Sequence, residues 1–461
     1  MAKKNKLSNN SPLGGYKMKV IIIGGVAAGM SAAAKLKRSN KEAVITVYEK
    51  SRHVSFGACG LPYFVGNFFE DSQNMIARTV EQFNASGIAV HPEHEVLSVD
   101  IENKKVSVKN LVTEEIFEDT YDKLMIATGA RAIIPPIKNV NLKHVYTLKS
   151  MEDGHELKAA MQDNSLKRVA IVGAGFIGLE VVEAAKQYGK EVHVFQLNDR
   201  VLVDTFDKEI TDLLEEELRS HNIHLHLSQT VTELVGEESV TQIKTKDEAY
   251  DVDIVVLTAG VRPNTDFLSD TGIEMIRNGA IIIDAEGRTS IENVYAAGDC
   301  ATINHILKPD PAYIPLATTA NKMGRIIGEN LAGAHHTFNG SLASACLKVM
   351  DLEAGRTGLS EQEAINLGIN YKKVFITDMN QTSYYPGQTK INIKLIYDAD
   401  SKVILGGQAV GRKDAVQRVN VLATAIFAGL TTDQLAMLDL CYAPPFSRTW
   451  DALNIAGSVA K

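Results

Sequence analysis

The sequence is sparing with cysteine: four in 461 residues, at positions 59, 300, 346 and 441. None is spaced from another as zinc ligands are, so no metal is expected, and no dense pairing suggests a disulfide scaffold. That sparseness points to a reducing, cytoplasmic setting in which a thiol survives as a thiol. Basic charge is in deficit too. Lys and Arg number 48 against 56 Asp and Glu, a formal net charge of −8, which argues against nucleic acid or an anionic membrane as the main partner. Nor is there an uncharged apolar run of the roughly 18 residues that a membrane helix needs.

What is present is glycine, 34 residues, in a chain 45% hydrophobic and 23% charged. That is the composition of a soluble enzyme with a large core, and the length implies about two to four domains. The basic start "MAKKNKLSNNSPLGGYK" followed by "VIIIGGVAAGMSAAA" superficially resembles a secretory signal. Its glycines, however, fall at turn spacing and it runs directly into the charged "AKLKRSN", so it reads as strand, turn and helix. Residues 1–17 read as a disordered tail or an alternative start.

The first unit is a strand from Lys19 to Ile23, a glycine turn "GGVAAG", an Ala-rich helix and a second strand, "AVITVYEK". A dinucleotide fingerprint wants glycine for the tight turn, a small residue facing the pyrophosphate and glycine for helix–strand packing. Gly24 and Gly29 take the outer places; Val26 stands in the middle one. Glu49, ending the second strand, is placed to accept from a ribose diol. A second copy, "RVAIVGAGFIGLEVVEAAKQYGKEVHVFQLNDR", matches fully at Gly173, Gly175 and Gly178, with its helix N-terminus set to hold a pyrophosphate. Here the strand ends in Gln196, which neither favours a free 2′-hydroxyl nor repels a 2′-phosphate. Arg200 offers a phosphate partner, so NADH and NADPH both stay open. Two fingerprints suggest two dinucleotides in series, FAD first and a nicotinamide second. "YDKLMIATGA" (with Thr128 and Gly129), "LTAGVRPNT" (with Gly260) and "TSIENVYAAGDC" (with Asp299) are apolar strands ending in turns. Asp299 is placed to bond a ribityl hydroxyl or to cap a helix.

This order of pieces resembles the two-dinucleotide flavoprotein disulfide reductases, from Met18 to about Ala460. The resemblance implies an α/β fold of two Rossmann-like domains with an α+β dimerisation domain. FAD would occupy residues 18–132 and 264–335, NAD(P) residues 133–263, and the homodimer interface residues 336–461. Lys50, Thr128, Gly129 and Gly260 would join the cofactor contacts. Glu180 would lie near the nicotinamide, where a lysine could pair with it. In the C-terminal part "VILGGQAVG" alternates like a strand, and Arg412 to Leu430 reads as an amphipathic helix.

Dithiol members of that family carry a second cysteine five residues after the first. Here that place is Phe64, and no histidine follows Leu440. Cys59, in "SFGACGLPYFVG", therefore works alone or with a thiol from outside the protein. Its thiolate would be favoured by nearby helix dipoles and by the oxidised flavin. Single-cysteine relatives divide into NADH oxidases or peroxidases, which cycle a sulfenic acid, and coenzyme A-disulfide reductases, which form a mixed disulfide. The former have a histidine in the first glycine turn, where Ala27 stands. "YYPG" and "YAPPFS" are similar to motifs of the latter. By the same resemblance Tyr384 and Tyr442 would come from the partner subunit and protonate the leaving thiolate. Ser31, Lys35, Arg38, Ser55, Ala58 and Asn321 would contact CoA. Trp450 and Gly87 depart from that pattern by replacing lysines, leaving Arg448 to assist. Cys300, Cys346 and Cys441 carry no evident chemistry. The acceptor stays open among CoA disulfide, other disulfides, polysulfide, oxygen and peroxide.

Overall fold

The structure, a computed structural model, describes residues 17–461. The tail expected over residues 1–17 lies outside that range except for Lys17, which stands 3.6 Å from Glu42. Val20, Ile21 and Ile22 of the strand Lys19–Ile23 are 0% exposed, as a central strand of a covered parallel sheet requires. It pairs in parallel with Val44–Tyr48 on one side and Lys123–Ile126 on the other. Ala89–His91 and Val294–Ala296 complete the sheet at its edges. A strand from late in the chain thus closes a sheet begun at its start.

A second parallel sheet runs Ile223–His226, Glu191–Phe195, Arg168–Val172, Ile254–Leu257 and Val145–Tyr146. The third, of five antiparallel strands from Ala345–Val349 to Ile404–Gly411, is covered by the helix Ala415–Phe427. That helix is shorter than the expected Arg412 to Leu430, because Asp414 and Gly429 both take a left-handed φ of 67° and bound it there. These are the two Rossmann-like layers and the α+β unit anticipated from the sequence. Lys394, fully buried in the third sheet, binds Asp207 at 3.2 Å and Glu209 and Glu361 at 2.7 Å. This anchors the second nucleotide fold to the C-terminal sheet. Among the described residues, no helix is long and apolar enough to cross a membrane.

Candidate active site

Both glycine turns repeat one geometry. Gly24 and Gly173 take φ of +105° and +110°, and a Cβ would stand 2.1 Å from Ala127 O and 2.5 Å from Thr258 O respectively. Only glycine fits there. The helices that follow, Ala27–Ser39 and Phe176–Gln187, begin without a side-chain cap, whereas those begun at Ser150, Ser360, Thr431 and Asp451 carry capping boxes. Their first N–H groups are left for an anionic ligand. The strand ends match as well: Glu49 Oε2 accepts from the Gly25 N–H at 2.6 Å and Gln196 Oε1 from the Ala174 N–H at 3.0 Å. At Gly175 a Cβ would meet nothing within 4 Å, because that position faces open space. The turns therefore fit a dinucleotide each. Arg200 departs from expectation: it donates to Val203 O at 3.5 Å and does not line the cleft.

A cleft of ≈ 2750 Å³ joins the two turns. Drug-sized ligands take about 300–1,000 Å³, so it has room for more than one large cofactor. Gly24, Glu49, Lys50, Thr128, Gly129 and Asp299 line it from the first fold, and Gly173, Gly175, Glu180, Gln196 and Gly260 from the second. Gly29 and Gly178 lie beneath the turns, where a Cβ would fall 1.9 Å from Gly24 O and 2.1 Å from Gly173 O. Lys50 faces Glu95 at 2.7 Å. Asp299 caps no helix; Cys300 follows in a turn, and the Asp299 carboxylate pairs with Lys149 at 3.0 Å. Sequence reasoning misses Lys149, for no motif marks it.

Cys59 opens onto this cleft from the short 3₁₀ turn Ala58–Gly60. The loop before it is tied to the first glycine turn by Ser55 N–H donating to Gly25 O at 2.8 Å. The helix after it, Leu61–Val65, carries Pro62 in its first turn, where a fixed φ is suited, and buries Leu61, Phe64 and Val65. Phe64 is 3% exposed and does not line the cleft; Lys158 Nζ lies 4.1 Å from its ring. The place of a second thiol is thus committed to the core.

The sulfur is reachable through the cleft but closely surrounded. Burial, then Glu180 and Asp299, push the Cys59 thiol above the ordinary cysteine value, with Lys149 opposing. The expected thiolate is not favoured by the chain alone: burial first, and then the two carboxylates, favour the thiol. Glu180 is itself pushed up to about 7, chiefly by burial and also by Glu183, against the hydrogen bond from Tyr63. Tyr63 Oη donates to Glu180 Oε1 at 3.3 Å, and no lysine among the described residues pairs with Glu180. The anticipated Glu180–lysine pair is replaced by Glu180–Tyr63 and Lys149–Asp299. Cys346 also lines the cleft, although its alternating strand gives no signal of it. Cys300 is buried and Cys441 exposed.

Ser31, Lys35, Arg38, Ser55, Ala58 and Asn321 also line the cleft. Ser31 Oγ donates to Asn321 Oδ1 at 2.7 Å. Lys35 is paired with Glu329 at 2.6 Å, which weakens it as a phosphate ligand. Arg38, Arg78 and Arg325 line the cleft as well; the last two carry no signal in the sequence. Arg448 pairs with Asp378, so its expected assisting role has a competitor. Tyr384 and Tyr442 lie outside the cleft lining of their own chain and are 72% and 44% exposed.

The profile of the pyridine nucleotide-disulphide oxidoreductases matches residues 18–324, and that of their dimerisation domain residues 344–453. The chain belongs to this family. It is an oxidoreductase that uses FAD and a nicotinamide dinucleotide, for which the two turns provide. It is similar to the NAD(P)H coenzyme A polysulfide/persulfide reductase of Pyrococcus horikoshii, 38% identical over 445 residues, 96% of this chain and 99% of that one. It is also similar to an NADH oxidase of Enterococcus faecalis, 32% identical over 96% of this chain and 99% of that one. The structure of an NAD-dependent persulfide reductase from A. fulgidus matches with a TM-score of 0.93 at 36% identity, over 96% of this chain and 83% of that one.

Proposed function

We propose that this oxidoreductase reduces the disulfide, or a related persulfide, of coenzyme A with NAD(P)H, through Cys59 alone. The observation that carries the proposal is Cys59 without a neighbouring thiol, in a cleft that continues to Arg38, Arg78 and Arg325. Guanidinium groups suit the phosphates of CoA. Bound FAD and NAD(P)H supply two electrons per turnover. Cys59 Sγ attacks one sulfur of CoA disulfide, the S–S bond breaks, and one CoA thiolate leaves as Cys59–S–S–CoA forms. The leaving thiolate takes a proton from a tyrosine, and two electrons and a further proton then release the second CoA and restore Cys59. Tyr384 and Tyr442, being outside the cleft of their own chain, serve the Cys59 of a second copy in a homodimer. Ser31 and Asn321 hold the pantetheine arm, and residues Ser55 and Ala58 its sulfur end. Four free cysteines accord with a reducing cytoplasm.

The comparison with the NADH oxidase supports a second reading, in which Cys59 cycles through a sulfenic acid and oxygen is the acceptor. Ala27, in place of a histidine, weighs against it. Mass spectrometry of the isolated protein, with NADH oxidation assayed with and without CoA disulfide, separates the two. One CoA on Cys59 and disulfide-dependent turnover is the expected result. A sulfenic or sulfinic adduct, with rapid oxygen consumption and indifference to CoA disulfide, would overturn it.

A further inference from the structure

Outside the cleft, a cluster of metal-ligating side chains sits on the strands that lead to Gln196. Glu191 and His193 lie on Glu191–Phe195, and His224 and His226 on Ile223–His226. Parallel pairing sets His193 opposite His224 and Phe195 opposite His226. Residues two apart on a strand share a face, so all four side chains meet on one side of the sheet. His193 Nε2 lies 3.1 Å and His224 Nε2 3.9 Å from Glu191 Oε1. One ligand atom from each of the three lies within 4.8 Å of the others. Tetrahedral zinc bonds of about 2.0–2.1 Å set ligand atoms about 3.3 Å apart, between the two measured distances.

We propose that Glu191, His193 and His224 bind a divalent transition metal of the zinc class, with water completing the shell. Two imidazoles and a carboxylate suit zinc, copper or nickel rather than calcium or magnesium. The support behind the ligands fits as well. His193 Nδ1 is 3.0 Å from His226 Nε2; metal on Nε2 places the His193 proton on Nδ1, and His226 accepts it. Such a bond orients a metal-bound imidazole. The His226 ring is itself held, 4.4 Å from both the Phe195 and the Tyr250 ring centroids. The Glu191 and His224 side chains are 51% and 52% exposed, so an ion enters from solvent. Neighbouring Arg168 is occupied by Asp253 at 2.9 Å and Asp251 at 3.2 Å. A second group, Glu217, His221 and Asp351, is unlike it: Arg412 lies 3.4 Å from Glu217 and 2.8 Å from Asp351, and its charge competes with a cation. Bound metal would tie the edge strand Ile223–His226 to its neighbour.

The test uses the full chain in a Cys59→Ser background, so that the reactive thiol takes up no metal. The protein is stripped with chelator, given zinc chloride and desalted; zinc per chain is then measured with the shift in Tm. One zinc per chain and a Tm rise reversed by chelator are expected, both retained in His221→Ala. Uptake should be lost in His224→Ala and Glu191→Gln and weakened about tenfold or more in His226→Gln. Absence of uptake, or uptake unchanged in both His224→Ala and Glu191→Gln, overturns the site. Glu191→Gln is nearly isosteric and on an exposed strand end, so it keeps the test decisive if His224→Ala folds poorly.

Discussion

Tyr384 Oη and Tyr442 Oη stand 2.9 Å apart, although the two tyrosines come from distant segments of the C-terminal unit. The hydrogen bond to Tyr442 raises the pKa of Tyr384. Under the proposed function Tyr442 delivers the proton and Tyr384 orients it. Tyr442→Phe is expected to slow CoA release in a single turnover by about 10²-fold or more, and Tyr384→Phe by less. Rapid-quench measurement of the first CoA thiol checks this; full-rate release from Tyr442→Phe would end the assignment.

The pair depends on a buried ion pair behind it. Arg418 Nη2 bonds Asp451 Oδ2 at 2.7 Å and Asn380 O at 3.0 Å, while Ser447 Oγ donates to Asp451 at 2.8 Å. Both tyrosine segments are thereby pinned to one helix. Removing one partner of such a pair costs about 3–5 kcal/mol, so Arg418→Met should lower the denaturant midpoint and loosen both loops. Burial opposes the Asp451 charge, but the Arg418 hydrogen bond and charge hold its carboxyl below the usual value. A depressed carboxyl stabilises the fold above its unfolded pKa and loses that contribution as pH falls through the folded one. Midpoints measured from neutral to acid pH should show this loss in the native chain and not in Arg418→Met.

Glu180 should impose a pH dependence near neutrality. With its carboxyl pushed up to about 7 by burial, it is protonated below that pH and charged above it. Its charge also raises the Cys59 thiol. Glu180→Gln should therefore lower the pH at which Cys59 reacts with an alkylating agent and remove the inflection near 7. Titration of Cys59 alkylation against pH in both proteins checks it, and superimposable curves would exclude the coupling.

Phe64 is a structural residue in the place where a dithiol enzyme would carry chemistry. Phe64→Ala should cost about 3–5 kcal/mol, seen by chemical unfolding. Phe64→Cys should form no disulfide with Cys59, because the side chain points into the core and not the cleft. Peptide mapping that found Cys59 bonded to the introduced thiol would show that reading to be incorrect.

Local signals carried much of this. Glycine spacing, two apolar strands and a strand-end Glu49 or Gln196 determined both nucleotide turns, because backbone sterics there admit few residue types. The lone Cys59 was legible because Phe64 stands where the resemblance to the dithiol members implies a second thiol. What surrounds that sulfur was not. Lys149, Cys346 and Arg325 belong to no motif, and they line the cleft only once the chain has folded, while Tyr63 bonds Glu180 without lining it. Burial, with the charges of Glu180 and Asp299, reverses the simplest expectation for Cys59, and Tyr63 stands where a lysine was sought for Glu180. The facing of His193 and His224 across two strands likewise needed the parallel register, since sequence separation hides what a sheet places side by side. Residue types and spacing determined the two turns and the isolated thiol; long-range packing decided which charges face them.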